Sequence, residues 1–147
     1  MAEPILKKGT ELLIYREGDT PGTYEFLCGI TTKNANFGRN LAETLVQDCD
    51  DPSAIPWTKR TPTSRTASLS GSGPMAMEKR ADIQADYDSD DARNLRLVIK
   101  GLGYWGGAWQ LASFQPGAAE GDAYINSSFE WQSDGAITWT DDPTAGV

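Results

Sequence analysis

Polar and apolar side chains alternate along two stretches of this chain, and a period of two is the period of a β-strand. Residues 121–140 alternate on both sides of the turn Ser133-Asp134-Gly135, which predicts a closing hairpin. Residues 64–75 (SRTASLSGSGPM) alternate between hydroxyls and small residues. The hairpin side chains expected to face the core are Ala123, Ile125, Ser127, Phe129 and Trp131 before the turn and Ile137 and Trp139 after it. Both stretches therefore predict strands with one polar face.

Other segments add strands and a single helix. Further strands are predicted at residues 10–17, 23–32, 92–101 and 103–114. The last of these is expected to place Trp109 and Leu111 on one face and Ala112 and Phe114 on the other. Residues 77–89 predict the helix, because apolar side chains recur there at helical spacing. The predicted fold is mainly β: an antiparallel β-sandwich or partly open barrel with one α-helix and a long central loop.

The long central loop is predicted at residues 34–63. This segment has no sustained period, contains three prolines and carries an acidic cluster at Asp48, Asp50 and Asp51. Its residues 41–46 (LAETLV) fit either a short strand or a turn of helix. A structureless stretch of about 30 residues is unusual inside a compact domain and is usually functional. We therefore expect this loop to act outside its own subunit, with Trp57 buried against this domain or a partner.

Length and charge narrow the class of protein. At 147 residues the chain fits one domain, expected over residues 1–140, followed by a flexible tail at 141–147. The net charge of −8 argues against a protein that binds nucleic acid through its phosphates. There is no apolar run of membrane-spanning length, and the start lacks the apolar stretch of a signal peptide. We expect synthesis in the cytoplasm, with Cys28 and Cys49 as free thiols.

The chemistry available for catalysis is limited because the chain contains no histidine. This excludes Ser-His-Asp and Cys-His sites and any histidine-ligated metal. The two cysteines lack the paired spacing of a zinc site, and the glycine-rich stretches lack the Gly-Lys-Ser/Thr of a phosphate-binding loop. We therefore expect no enzyme, no cofactor and no metal. Five tryptophans and five tyrosines keep one alternative open, a sugar-binding platform on the sheet.

Four segments follow one another along the chain: KGTELLIYRE with YEFLCGITTKNANFG, then RTASLSGSGPM, then LRLVIKGLGYWGGAWQLASFQPGAAEGDA, and finally INSSFEWQSDGAITW. In this order they resemble the major tail tube proteins of long-tailed bacteriophages and gene transfer agents. Together they cover most of the chain, and their order and spacing carry the resemblance. It implies a ring-forming structural subunit, whose hexameric rings stack into a tail tube around a lumen that DNA passes through.

The resemblance also implies roles for particular residues. The polar rows would line the lumen, and the candidates are Thr66, Ser68, Ser70, Asn126, Ser128, Glu130 and Gln132. A wall with few cations does not bind phosphates, so DNA would slide along it. The central loop would contact neighbouring subunits and rings through Leu45, Asp48, Asp50, Asp51, Ile55, Trp57, Lys59 and Arg60. Of these, Lys59 and Arg60 are expected to pair with acids on the next ring.

The resemblance implies further copies of the chain as the main partners, with a tape-measure protein and tail-end or completion proteins beside them. DNA would be a non-specific cargo of the lumen, and no membrane is expected. The implied location is the virion tail, after assembly in the host cytoplasm. Two alternatives stay open: another β-sandwich protein of the virion, such as a head-tail completion or tail-end protein, and a carbohydrate-binding module.

Overall fold

A computed structural model describes residues 3–74, 76–118 and 120–146 of the chain. Its elements are a 3-10 turn at Gly9–Glu11, β1 Leu12–Glu17, β2 Tyr24–Phe26, β3 Thr32–Val46, β4 Trp57–Pro74, α1 Met77–Asp88, β5 Arg93–Ile99, β6 Gly103–Gly117, β7 Asn126–Ser133 and β8 Thr138–Asp141. The helix predicted from its spacing is confirmed as α1. The strand predicted at 23–32 ends early, because Leu27 turns into the core and Gly29 adopts φ 88°.

The strands form one antiparallel sheet in the order β2-β1-β5-β6-β7-β4-β3. Strand β6 joins its two halves: residues 103–109 pair with β5 on one edge, and residues 109–117 pair with β7 on the other. The short β8 pairs with residues 103–106, beside β7. The sheet is not closed. The prediction of a mainly antiparallel β fold with one helix is therefore confirmed for the described part of the chain.

Both halves of the sheet contribute to one core. Ile14 of β1 and Leu97 of β5 belong to the same buried cluster as Leu69 of β4 and Trp131 of β7, so the sheet curls over itself. Burying a large apolar side chain contributes about 1.5–3 kcal/mol, and this shared cluster is the main source of stability. The predicted inward row is confirmed from Ser127 to Trp131 and at Ile137, whereas Trp139 is 37% exposed.

The start of the closing hairpin differs from the prediction. Ala123 and Ile125 are exposed rather than inward-facing, because residues 121–125 precede β7 and lack its regular pairing. Alternation in the sequence extended further than the strand itself.

Helix α1 is held against the sheet by a buried ionic cluster. Asp86, only 7% exposed, accepts hydrogen bonds from Arg16 Nε and Nη2, both at 2.7 Å, and from Arg93 Nε at 3.0 Å. The hydrogen bond from Arg16 to Asp86 raises the pKa of the arginine, although burial opposes that shift. Ile83 packs into the core one turn before Asp86. The sequence pattern predicted the helix, but it did not single out this carboxylate.

Residues 34–63, predicted as an irregular loop, instead form most of a long β-hairpin. Strands β3 and β4 pair from Thr32 with Ser72 to Val46 with Trp57. The pairing register shifts after Asn40, and Pro62 lies beside this irregularity, where a strand tolerates proline. Beyond Phe37 no apolar alternation marks this segment, because both of its faces are exposed over most of its length.

Strand β6 also corrects the sequence prediction. Its pairing with β7 shifts register between Leu111 and Ser113. An inserted residue reverses the alternation of side chains, so Leu111 and Phe114 both pack against the core instead of facing opposite ways. A simple period of two does not reveal such an insertion.

The tail was predicted to be flexible, and its described part is instead packed against the sheet. Asp141 ends β8, and Ala145 is buried, with its carbonyl accepting a hydrogen bond from the Gly101 nitrogen at 2.9 Å. Gly146 lies beside Leu13 and Val98. The small side chains of residues 144–146 allow this close approach. Val147 lies outside the described residues.

Candidate functional site: a polar face and a projecting arm

Four adjacent strands, β6, β7, β4 and β3, place polar side chains on one side of the sheet. Cross-strand partners in an antiparallel sheet lie on the same face, and the register gives three rungs of four residues each. We name this set the polar face: Thr32, Ser72, Ser128 and Gln115; Asn34, Ser70, Glu130 and Ser113; Asn36, Ser68, Gln132 and Gln110. The opposite side of the same strands carries Leu69, Phe129 and Trp131 in the core.

The structure brings together the two rows that the sequence singled out. Ser68 lies opposite Gln132, and Ser70 lies opposite Glu130, so the β4 and β7 candidates are direct neighbours. Thr66 and Asn126 extend the same rows at either end.

Sequence reasoning missed the outer strands of this face. Asn34 and Asn36 fell inside the segment read as a loop, although their alternation with Ala35 and Phe37 was a usable signal. Ser113 and Gln115 were hidden by the register shift in β6. The polar face is therefore twice as wide as the two predicted rows.

The polar face carries very little charge. Glu130 is the single ionisable side chain among its twelve residues, and the others present hydroxyls and amides. Cations are what bind the phosphates of nucleic acid. This surface is therefore hydrated, and its twelve residues provide no cation to bind a phosphate.

Free strand edges flank the polar face on both sides. Strand β3 pairs with β4 alone, and residues 110–117 of β6 pair with β7 alone, so each has one edge without a partner in the described chain. Exposed edges are templates for pairing with another chain. Each successive pair from β6 to β3 is antiparallel. With three such steps between them, β3 runs antiparallel to β6, so the two edges of successive copies fit one antiparallel sheet.

Beyond the polar face, β3 and β4 continue as a two-stranded arm. Strand β7 pairs with β4 from Ser68 onward, so residues 38–66 have no third strand. We call this segment the arm and residues 47–56 its tip. At about 3.4 Å per residue, residues 38–46 span about 30 Å. An isolated two-stranded hairpin is marginally stable in water, which favours a partner for the arm.

The arm exposes large apolar side chains. Trp57 is 83% exposed and Ile55 is 89% exposed, and Leu41, Leu45 and Val46 are exposed as well. Neighbouring exposed apolar residues mark interaction surfaces. The predicted contact residues Leu45, Ile55 and Trp57 therefore lie together at the outer end of the arm.

The charged arm residues divide into two groups. Asp48, Asp50 and Asp51 lie in the tip, where the Asp48 Oδ1 accepts hydrogen bonds from the backbone nitrogens of Asp50 at 2.9 Å and Asp51 at 3.4 Å. Arg60 instead pairs within the subunit, with its Nε 3.2 Å from Glu43 Oε1. The pairing of Arg60 with an acid on another ring stays a prediction, since both side chains of this pair are exposed. Lys59 lies opposite Thr44 on the same hairpin.

Other kinds of site receive no support from the described residues. Residues 3–74, 76–118 and 120–146 contain no cluster of three acidic or cysteine side chains arranged for a metal ion. Cys28 and Cys49 are free thiols, as expected. None of the described helices is long and apolar enough to cross a membrane.

Comparison with known proteins gives a consistent result. Residues 7–139 match the family described as "Phage tail tube protein". The fold is similar to the tail subunit of an empty gene transfer agent particle solved by helical refinement with C6 symmetry, with a TM-score of 0.75 and 19% identity over 92% of this chain and 99% of that one. A chain of a native gene transfer agent virion has a TM-score of 0.68 and 20% identity, over 92% of this chain and 99% of that one.

A third solved structure, the SPP1 tail tube, has a TM-score of 0.68 and 12% identity, covering 93% of this chain and 80% of that one. At these identities the likeness shows a shared fold. No curated protein sequence matches the chain.

Proposed function

The chain belongs to the phage tail tube protein family and is a structural subunit of a virion tail tube; we propose that its copies form hexameric rings that stack around a lumen through which DNA is delivered. One observation carries this proposal. The polar face lies between two free edges, β3 and the second half of β6, whose directions fit a single antiparallel sheet.

Closing that sheet would make a barrel of four strands from each subunit. The free edge of β3 in one copy would pair with the edge of β6 in the next, which removes every open edge from the polar half of the sheet. For six copies, strand spacing and tilt give a barrel of roughly 40–50 Å between facing backbones. A water-filled channel of that width accepts a DNA duplex.

The polar face would form the wall of this channel. Its core side already carries Trp131 and Leu69, which leaves the other side, with Ser70 and Ser128, as the one that would face the lumen. The wall has one carboxylate, Glu130, per copy and no cation among its twelve residues, so phosphates find no cation to pair with. DNA would slide along hydroxyls, amides and water.

The arm would join one ring to the next. It carries exposed apolar side chains at its outer end, and its own subunit offers them no cover. A head-to-tail contact of this kind repeats without closing and so produces a filament. This role assigns Leu45, Ile55 and Trp57 to the contact between rings.

The role proposed for the subunit is architectural, without a catalytic step. Its proposed partners in the tail are a tape-measure protein and tail-end or completion proteins, and its proposed place of assembly is the host cytoplasm. The carbohydrate-binding alternative has less support, because Trp109 and Trp131 lie in the core and cannot form part of an exposed platform.

Light scattering across a concentration series, with negative-stain electron microscopy of the same samples, tests the proposal. The expected result is hollow rings and tubes with sixfold end views. A compact monomer that binds glycans would contradict it in favour of a sugar-binding module. Single rings that never stack would favour a completion or tail-end protein.

A further inference from the structure

Two arginines lie directly opposite each other at the root of the arm. Arg39 of β3 pairs in register with Arg65 of β4. Both residues are exposed, and neither takes part in an ion pair within the described residues. Like charges directly opposite across two strands destabilise a hairpin. In a chain with a net charge of −8, this pair indicates an anionic partner at the arm root.

The two arginines border a groove of about 660 Å³ between the arm root and the segment that connects β7 to β8. Its apolar lining includes Phe37, Ala67 and Ile137. Arg39 and Arg65 fall on the opposite side of their strands from Asn36 and Ser68, so the groove is separate from the polar face. The matching occupant must combine carboxylates with an apolar side chain.

The tip of the arm has this combination. It contains Asp48, Asp50 and Asp51 with no lysine or arginine, and its Ile55 is 89% exposed. Ser53 Oγ donates to Asp51 Oδ1 at 2.8 Å, and Asp48 fixes the backbone of the turn. Hydrogen bonds within the tip therefore already order its acidic side chains in the free subunit.

A tip cannot reach the groove of its own subunit. Strand β3 runs from Arg39 to Val46 in paired, extended form, which separates the groove from the tip by about 24 Å. Asn40 Nδ2 donates to Ser64 Oγ at 2.8 Å and helps hold the two strands together near the root. The occupant is therefore a second copy of the chain.

We propose that the tip of one subunit docks into the Arg39–Arg65 groove of a subunit in the next ring. Asp50 and Asp51 lie beside the two guanidinium groups, which bind carboxylates through paired hydrogen bonds, and Ile55 covers the apolar lining. This inference rests on the proposed stacking of rings. The inference identifies the surface that binds the tip. Because the tip and the groove lie at opposite ends of the same arm, each subunit would bind one neighbour through its tip and another through its groove, which gives the stack a direction.

A charge swap tests this pairing. The double variant R39E/R65E exchanges one like-charge pair for another, so its unfolding midpoint should stay close to that of the wild type. Its tube formation should require a concentration higher by at least about tenfold. D50R/D51R should show the same defect, and the fourfold variant with both changes should regain tubes. R80E, at an exposed position of α1, is the control for a charge reversal elsewhere on the surface and should assemble normally.

A cross-link provides an independent measurement. The native Cys49 lies in the exposed tip, and Thr138 lines the groove. A short bismaleimide added to assembled T138C should link subunits into a ladder of multimers. The ladder should disappear in T138C/C49S.

The outcomes separate this inference from the proposed function. Normal tubes from R39E/R65E, or a quadruple variant that still fails to form tubes, would contradict docking of the tip into the groove. The tail tube assignment would still stand as long as the wild type forms tubes. The absence of a ladder from tubes of T138C would contradict the docking as well. A wild type that forms neither rings nor tubes would overturn the proposed function itself.

Discussion

Strand β4 has two regions that both pair with β3 but differ in their other neighbours and in the burial of their side chains. Its residues 68–74 lie between β3 and β7, with one face in the core and one on the polar face. Its residues 57–66 pair with β3 alone and are exposed throughout. Trp131 beside the first region is 1% exposed, whereas Trp57 in the second is 83% exposed.

This difference teaches that backbone pairing and stability are separate properties. The body of the subunit is stabilised by apolar side chains buried from both halves of the sheet. The arm has hydrogen-bonded strands but no core, so its apolar side chains stay available for another copy. Matched substitutions in the two regions should therefore affect different measurements.

The largest contrast is expected between two tryptophans. Trp131→Ala opens a cavity in the core and should lower the free energy of unfolding by about 3–5 kcal/mol. Trp57→Ala should leave that free energy within about 0.5 kcal/mol of the wild type and should block tube growth. Urea unfolding and negative-stain microscopy of both variants provide the check. Tubes of normal length from Trp57→Ala would remove the arm from the contact between rings.

A second contrast compares two ion pairs. Asp86→Asn leaves the buried Arg16 without its carboxylate and should cost about 3–5 kcal/mol, with the loss of α1 from the sheet. Glu43→Gln removes the exposed pair with Arg60 on the arm and should cost about 1 kcal/mol or less. Thermal unfolding followed by circular dichroism at 222 nm measures both. Equal losses would show that α1 does not depend on its buried cluster.

A smaller contrast involves two glycines of the same hairpin. A Cβ at Gly73 would collide with the Gly29 carbonyl oxygen and lie 2.8 Å from the Thr31 nitrogen, whereas a Cβ at Gly38 would meet Thr66 Oγ1 at 3.5 Å. Gly73→Ala should therefore cost about 1–3 kcal/mol. Gly38→Ala should be close to neutral. The urea midpoints of the two variants measure these costs. A Gly73→Ala variant as stable as the wild type would show that the backbone at Gly29 and Thr31 can move away from β4.

The parts of the fold with one buried face were predictable from the sequence. The alternation of Phe129 and Trp131 with Ser128 and Glu130 identified β7, because burial on one side imposes a period of two. The resemblance to tail tube proteins then gave the family.

Other parts lacked such a signal. The arm is exposed on both faces, so nothing in its sequence had to alternate, and its strands were read as a loop. The register shift in β6 changed which side chains face the core, and nothing in the amino-acid composition of the strand indicates such a shift. The buried ionic cluster at Asp86 and the opposed pair of Arg39 and Arg65 join residues that are distant in sequence, so they could be recognised only once the folded structure was known.

The central claim is that the polar face lines a channel closed by pairing of β3 with β6 of the next copy. A helical reconstruction of assembled tubes, at a resolution that separates strands, tests it directly. We predict a continuous antiparallel barrel in which β3 of each copy lies beside residues 110–117 of its neighbour, with Ser128 and Glu130 facing the lumen. Tubes whose polar face lies on the outer surface, or whose β3 edge stays unpaired, would contradict the account.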